Sequence, residues 1–176
     1  MKAYNATLDF IKTKNPHYEV TNIFPSLVMG KNELASTTAA AGSGSNVLMM
    51  GVLLGEHAPM PYSGTTVHVE DVAFVHVKAL DPEIPGNEKF ATNSNGIGGT
   101  VWEEANEIVK RLFPEAVRDG ILKADGTCAA ERVRFDARRT EEVMGFRFRG
   151  WEEQVVSQAR WYIDLAKREK GRANGA

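Results

Sequence analysis

The sequence predicts an α/β domain, and three observations support that prediction. The predicted elements run helix, strand, helix, strand, helix, strand and then several helices, an alternation typical of α/β proteins. The segment EVTNIFPSLVMG at residues 19–30 is a near-continuous apolar run, typical of a strand covered on both faces, as in a parallel sheet. Finally, 176 residues with 43% apolar and 25% charged side chains can form one soluble domain with a sizeable core.

Composition also excludes several classes of protein. A net charge of −2 provides no basic field for a nucleic-acid partner. The single cysteine, Cys128, rules out an intrachain disulfide and a thiolate metal cluster, and it fits a reducing compartment, so we expect a cytoplasmic protein. No apolar run reaches the roughly 18 residues of a membrane span, so no membrane contact is expected. The first residues lead into a charged amphipathic pattern that does not resemble a signal peptide.

The first two elements are a helix and the apolar strand. Residues 3–14 are predicted to be helical because their apolar side chains recur at helical spacing, and the Asn15-Pro16 pair ends the helix. In the strand, Pro25 cannot donate a hydrogen bond to a neighbouring strand, so regular pairing should end there. An irregular turn, Pro25-Ser26-Leu27-Val28, should follow at the strand's carboxyl end, where open α/β sheets bind ligands. A core strand with a simple kink remains the alternative.

The middle of the chain is predicted to hold a long loop, two helices and a strand. Residues 31–46 are rich in Ser, Thr, Ala and Gly, a composition typical of a functional lid or a mobile segment. Ser45 or Asn46 should cap a helix over residues 46–54. A strand at residues 65–69 should then lead into a helix over residues 72–80, capped by Asp71.

The last part of the chain is predicted to be mostly helical. Thr100 and Glu103 have the spacing of a capping box, and Pro114 should end or bend the helix that they begin. Residues 120–133 are expected to be irregular, and residues 1–167 to form one domain followed by a disordered tail at 168–176. The predicted strand and three helices cover residues 88–93, 101–117, 136–144 and 151–167.

No self-contained catalytic set or metal site is predicted from the motifs. The glycines at residues 96–99 lack the GxGxxG spacing, and P-loop, HExxH and GxSxG motifs are absent from the sequence. His68 and His76 could form a zinc pair, but a core or capping role is more common for such histidines. A cluster of arginines could meet a phosphate, although pairing with nearby acids on the surface is the more common role; it comprises Arg132, Arg134, Arg138 and Arg139.

Three stretches occur together in one order and carry a family resemblance. They are FIKTKNPHYEVTNIFPSLVMG at residues 10–30, VHVEDVA at 67–73, and FDARRTEEVMGF at 135–146 followed by a helix that begins at Trp151-Glu152. Together they resemble the C-terminal half of an extended short-chain dehydrogenase/reductase, also called the NAD-dependent epimerase/dehydratase family. The branch that they resemble most includes dihydroflavonol reductases, cinnamoyl-CoA reductases and fungal aldehyde and ketone reductases. The resemblance covers residues 3–166.

The resemblance implies a partial Rossmann-type fold with a helical substrate-binding lobe. It implies an NAD or NADP cofactor whose nicotinamide end touches the backbone of Pro25, Ser26, Leu27 and Val28, while Ser45 reaches the phosphate side. Asp71 would be structural, and a small carbonyl compound or other hydrophobic ligand would occupy the lobe. The strand at residues 19–30 would be the last parallel strand of the sheet.

The sequence also departs from the family. The glycine-rich turn, the catalytic serine and the Tyr-x-x-x-Lys pair are absent, and Tyr4 is followed at the lysine position by Leu8. We therefore expect a reductase-like chain, truncated and not catalytically competent alone. One alternative is a non-catalytic binding or partner subunit that complements a separate N-terminal half or forms a homo-oligomer. Another is a repurposed isomerase or cyclase that uses pocket residues such as His57, Tyr62 or Glu70.

Overall fold

The computed structural model describes residues 2–96 and 98–174, and within them the chain forms eight helices and six short strands. The helices are α1 (Lys2–Lys14), α2 (Thr38–Ala41), α3 (Asn46–Leu53), α4 (Val69–Lys78), α5 (Glu104–Leu112), α6 (Pro114–Arg118), α7 (Arg138–Met144) and α8 (Trp151–Asn174). The strands are β1 (Asn22–Pro25), β2 (Leu27–Met29), β3 (Tyr62–Ser63), β4 (Thr66–His68), β5 (Lys89–Thr92) and β6 (Ala130–Glu131).

The strands associate as three parallel pairs, which confirms the predicted α/β class. β1 pairs with β5, β2 with β4, and β3 with β6. Parallel strands with helices between them are the units from which Rossmann-type sheets are built. The segment EVTNIFPSLVMG forms both β1 and β2, which belong to different pairs, so the chain changes strand partner between them.

The prediction that this strand is covered on both faces is wrong for β1. Phe24 is 39% exposed and Pro25 is also exposed. Nor is β1 the last parallel strand along the chain, because β5, at residues 89–92, follows it and pairs with it in parallel. Within the described residues β5 is the only strand paired with β1, so one edge of β1 and part of its face are open. The apolar residues of this run predict a fully buried strand, but the described residues leave Phe24 and Pro25 exposed.

Three apolar clusters hold the elements together. The largest joins α3, α5 and α8, with Trp102 and Trp151 in edge-to-face contact at 5.4 Å between ring centroids. A second cluster packs α4 and α7 on the β1–β5 pair around Val67, Val75 and Phe90. In the third, alanines of residues 35–41 pack against Trp161 and Leu165 of α8. The predicted loop at residues 31–46 is thus anchored, and it contains the short helix α2, which the sequence did not predict.

Three predicted helix caps are wrong. Ser45 occupies the N-cap position of α3, but neither its side chain nor that of Asn46 caps the helix, because they bond Val28 and Gly30 instead. His68, not Asp71, caps α4, because its Nδ1 accepts the backbone N–H of Glu70 at 3.2 Å. Thr100 does not cap α5, which begins at Glu104, because the Thr100 hydroxyl hydrogen-bonds Thr66 Oγ1 at 3.0 Å instead. In each place the side chain expected to cap the helix makes a tertiary contact instead.

The ends of the helices in the C-terminal part of the chain show which local signals succeed. The helix predicted over residues 101–117 is interrupted near Pro114, as predicted, and Pro114 begins a separate short helix that was not predicted. Gly145 ends α7 in a left-handed conformation with φ +67°. The last helix continues to Asn174, so residues 168–174, predicted to be disordered, are helical. Residues 175 and 176 of that predicted tail lie outside the described part. None of the described helices combines the length and the apolar composition that crossing a bilayer requires.

Candidate functional site

The candidate site is the turn at Ser26, where the chain leaves one strand partner and takes another. The Ser26 backbone N–H donates to Thr92 O of β5 at 3.0 Å. One residue later, Leu27 N–H donates to Thr65 O, just before β4, at 3.2 Å. Proline is tolerated at position 25 because it has no backbone N–H that would need a hydrogen-bond partner. The turn is fixed on both sides by backbone hydrogen bonds, at the carboxyl end of β1 where ligands of open α/β sheets bind.

Three polar side-chain atoms at this end of the β1–β5 pair are buried and have no hydrogen-bond partner. They are Ser26 Oγ, Thr92 Oγ1 and Asn93 Oδ1. Pro25 lies opposite Thr92 in the strand register, so the next residues, Ser26 and Asn93, follow the same pair. Burying a polar group without a partner costs on the order of 1–3 kcal/mol, and such groups cluster where a ligand or another segment completes the bonding. Two hydroxyls and an amide oxygen can bond a ligand that both donates and accepts.

Ser45 contacts the turn, but it supports the backbone there. Its hydroxyl donates a short hydrogen bond to Val28 O. A hydroxyl has one proton, so in this conformation Ser45 can offer a ligand only its lone pairs. A phosphate oxygen needs a donor, and Ser45 could serve one only after releasing Val28. The structure therefore brings all five residues predicted for the cofactor together, with Ser45 in a bracing position.

Asn46 is a residue of this region that the sequence did not single out beyond a possible cap. Its side-chain amide brackets the backbone of Gly30, accepting from Gly30 N–H at 3.1 Å and donating to Gly30 O at 2.7 Å. Gly30 has φ +139°, and a Cβ there would lie 2.7 Å from Val69 Cγ1. Asn46 and Gly30 therefore end β2 by joining it to α3. The sequence showed a glycine at the end of the apolar run. Spacing along the sequence does not identify Asn46 as the side chain that bonds the backbone of this glycine.

Asp71 is a structural residue, as the resemblance implied. It is 2% exposed and accepts the backbone N–H of Arg149 at 2.8 Å, and the Arg149 guanidinium contacts its other oxygen. The same guanidinium pairs with Glu70 at 2.9 Å. This arrangement, the Asp71–Arg149 clasp, ties α4 to the segment before α8. Next to it, burial and then the charge of Arg149 lower the pKa of His68, so its ring is neutral near pH 7.

The residues of the isomerase alternative lie in two separate cavities, away from the turn. A cavity of about 730 Å³ includes Glu70 in its lining, whereas a cavity of about 160 Å³ is lined by His57, Tyr62 and Cys128. The three predicted residues therefore do not share a pocket. Burial raises the pKa of the Cys128 thiol, which disfavours the nucleophilic thiolate. None of the turn residues lines the larger cavity.

Four of the remaining candidates from sequence have structural partners, whereas Arg132 and Arg134 are exposed and pair with none of the described residues. Arg138 pairs with Asp136 at 2.6 Å, as expected for surface pairing, and Arg139 pairs with Glu88 at 2.9 Å. His68 caps a helix, the role expected as the more common one, and His76 Nδ1 hydrogen-bonds Val72 O at 2.7 Å. Across residues 2–96 and 98–174, no group of three or more His, Cys, Asp or Glu side chains is arranged to hold a metal ion.

Comparison with known proteins yields relatives of one kind. No family model matches the chain. The ketoreductase CTB6 of Cercospora nicotianae is 36% identical over 170 residues, which are 95% of this chain and 48% of that protein. The NAD-dependent epimerase/dehydratase FUM13 of Gibberella moniliformis is 32% identical over 174 residues, which cover 94% of this chain and 47% of that protein. The chain thus spans about half the length of these curated relatives.

Solved structures show the same fold. The structure of Gre2 from Candida albicans in complex with NADPH superposes with a TM-score of 0.68 at 21% identity, over 93% of this chain and 49% of that one. MoeE5 in complex with UDP-glucose and NAD superposes with a TM-score of 0.58 at 17% identity, over 95% of this chain and 53% of that one. At these identities the likeness concerns the fold.

Proposed function

This chain belongs to the extended short-chain dehydrogenase/reductase family and fits its C-terminal half, and we propose that it forms the nicotinamide-side wall and the substrate lobe of an NAD(P)-dependent ketone or aldehyde reductase. The observation that carries the proposal is the turn at Ser26. It presents fixed backbone and unpartnered buried hydroxyls where the fold places a ligand. A cytoplasmic location is part of the same proposal.

In this proposal the turn binds and orients the nicotinamide end of the cofactor, which would supply the hydride. Pro25, Ser26, Leu27 and Val28 hold the nicotinamide end through their backbone, and Ser45 keeps Val28 in place through its hydrogen bond. The hydroxyls of Ser26 and Thr92 suit a carboxamide, which has one acceptor oxygen and two donor protons. None of the turn residues carries a usual acid–base side chain, which would be Tyr, Lys, His, Asp or Glu. We assign the proton donor and the binding of the pyrophosphate to the other half of the family's fold.

The proposal is tested by asking which end of the cofactor the 176-residue chain contacts. Saturation-transfer NMR with NADPH should show strong transfer to the nicotinamide protons and weaker transfer to the adenine protons. Ser26→Ala should reduce the nicotinamide signal, while Ser43→Ala, in the adjacent loop, should leave it unchanged. Strong transfer to adenine alone would overturn the assignment of the turn.

Activity gives a second test of the same proposal. The isolated chain should not oxidise NADPH in the presence of a simple aldehyde above the rate of a buffer control, because the tyrosine–lysine pair of the family is absent. An ordinary enzymatic rate would show that this chain supplies its own proton donor, and the idea that it is incompetent alone would be wrong.

One observation favours a second role, as a subunit that docks a complementary half. Apolar side chains are exposed along α1 and the open edge of β1, with Leu8 at 40%, Phe10 at 43% and Phe24 at 39%. Tyr4 of α1 contacts Phe24 edge-to-face at 5.4 Å between ring centroids, but no residue of α1 is buried, so most of the apolar side of this helix is uncovered among the described residues. We propose that a nucleotide-binding half of the same family covers this surface.

Co-expression with the N-terminal half of a family reductase is the direct test of docking. A stable one-to-one complex on size-exclusion chromatography with light scattering is expected, and Phe24→Asp should abolish it. A self-associated species that ignores the added half would favour a homo-oligomer. A monodisperse monomer that binds nothing would contradict this second role.

A further inference from the structure

The cavity of about 730 Å³ lies apart from the proposed cofactor turn, at the opposite end of the β2–β4 pair. It is a cleft partly open to solvent, bounded by the loop after β2, by His68 and Glu70 near the start of α4, and by one face of α8. The opposite face of α8 packs into the main core. Its volume falls within the range of roughly 300–1,000 Å³ that is typical of small-molecule sites.

The charges that line this cavity are equal in number but unequal in their bonding. Five cationic and five acidic residues line it. Four of the acids already accept hydrogen bonds or pair within the protein, namely Glu33, Glu70, Glu153 and Glu169. Three of the cations make no hydrogen bond or ion pair with the described residues, namely Arg160, Arg168 and Arg172. The unused bonding capacity of the cavity is therefore mainly cationic.

A buried donor at the inner end of the cavity points to the same ligand class. His68 is 2% exposed, and its Nδ1 accepts the Glu70 N–H, so the proton of the neutral ring sits on Nε2. Nε2 makes no hydrogen bond to any described residue, although His68 lines the cavity. Ser157 and Arg149 line the same cavity. These groups can donate to an anion without breaking the Asp71–Arg149 clasp.

The adjoining wall is apolar. Ala35, Val156, Trp161 and Leu165 line it, and Trp161 lies one helical turn beyond Ser157 on α8, about 6 Å along the helix axis. A ligand whose charged group meets His68 and Arg160 would therefore place its next carbons against the Trp161 indole. Size and charge together select an organic acid over a bare inorganic ion.

We propose that this cavity is a second ligand site, distinct from the cofactor turn, and that it binds a small organic carboxylate with an aromatic or aliphatic body. The carboxylate accepts from His68 Nε2, Ser157 and Arg160, and the body packs on Trp161 and Val156. The inference does not depend on the proposed reductase role.

The three tryptophans make a direct test possible. Each indole N–H gives one NMR signal, Trp161→Phe assigns the signal of the cavity, and Trp102 and Trp151 report on the core. Naphthalene-2-carboxylate titrated into the 176-residue chain should shift the Trp161 signal saturably and leave the other two in place. Naphthalene-2-carboxamide, equal in shape but uncharged, should bind about tenfold more weakly because the charge-assisted hydrogen bonds are lost.

Matched variants on α8 separate a site from general charge attraction. Arg160→Gln should weaken binding of the carboxylate about fivefold, as expected for one solvent-exposed ionic contact, and higher salt should weaken it further. Lys167→Gln removes the same charge from the same helix outside the cavity and should change affinity less than twofold. Equal binding of acid and amide, equal effects of the two variants, or no saturable shift of the Trp161 signal would each overturn the proposal.

Discussion

Arg149→Met is the substitution whose consequence the structure defines most sharply. The carboxylate of Asp71 has a side-chain exposure of 3% and depends on Arg149 for its backbone N–H and its guanidinium. Methionine keeps the alkyl stem and the backbone donor but removes the positive charge. Leaving a fully buried charge unpaired costs about 3–5 kcal/mol. The Arg149 side chain is 39% exposed, so water can reach the vacated position, and we expect a loss of about 2–3 kcal/mol.

Urea unfolding followed by circular dichroism at neutral pH measures this loss as a fall in midpoint at constant slope. Arg118→Met is the matched control, because Arg118 pairs with Asp119 on the surface at exposures of 70% and 54%, and it should cost less than about 1 kcal/mol. Combining Arg149→Met with Asp71→Asn should cost less than the sum of the two single changes. If Arg149→Met were as mild as the control, or if the two losses simply added, the Asp71–Arg149 clasp would not stabilise the fold as argued.

Three further substitutions follow from the same region and from the surface. Gly30→Ala should destabilise the chain by about 2–4 kcal/mol, measured by urea unfolding, because its Cβ would lie 2.7 Å from Val69 in a backbone conformation with φ +139°. Asn46→Ala should cost about 2–3 kcal/mol in the same assay, because both polar groups of the Gly30 backbone lose their partner. Arg138→Gln should raise the pKa of Asp136 from about 2 toward 3.8, measured by NMR titration of the carboxyl carbon, because hydrogen bonds from Arg138 hold it low.

The controls for these substitutions separate the contact from its surroundings. Gly120→Ala also places alanine at positive φ, +72°, but its Cβ would meet nothing within 4 Å, so it should cost clearly less than Gly30→Ala. Asn5→Ala, on the exposed surface of α1, should be nearly neutral. The folded-state pKa of Asp136 is depressed, so the stability from its pair is present above pH 3.8 and is lost as pH falls through about 2. A pKa unmoved by Arg138→Gln would exclude Arg138 as its cause.

The features that could be predicted from the sequence are those that depend on neighbouring residues in the chain. The break at Pro114, the end of α7 at Gly145 and the start of α8 at Trp151 depend on backbone chemistry within a few residues. The interruption of pairing near Pro25 was predicted for the same reason, because a proline in a strand interrupts pairing wherever its partners lie. The change of partner was not predicted, and the expected irregular turn over residues 25–28 is wrong for Leu27 and Val28, which belong to strand β2.

The features that sequence could not provide depend on distant partners. The choice of His68 over Asp71 as a cap follows from Arg149, 78 residues away, which occupies the Asp71 carboxylate. Gln154 and Gln158 are fully buried on α8 and bond Ser94 and Asn46, although glutamine at those positions suggests a solvated face. A local sequence pattern does not show which distant residues will pair. The burial of β1 was overestimated for the same reason, because burial depends on which distant segments cover the strand.

Under the proposed function, the turn at Ser26 predicts little preference between NAD and NADP. Both strands that shape it, β4 and β5, and the serine that braces it lie in the described residues. NAD and NADP differ only at the adenosine ribose, far from the nicotinamide that the turn would contact. The isolated chain should therefore bind NADH and NADPH with dissociation constants within about twofold, measured by calorimetry at 0.15 M salt, where the Debye length is about 8 Å. A tenfold preference for NADPH would show that cations of this chain reach the adenosine end and that the turn is not the principal contact.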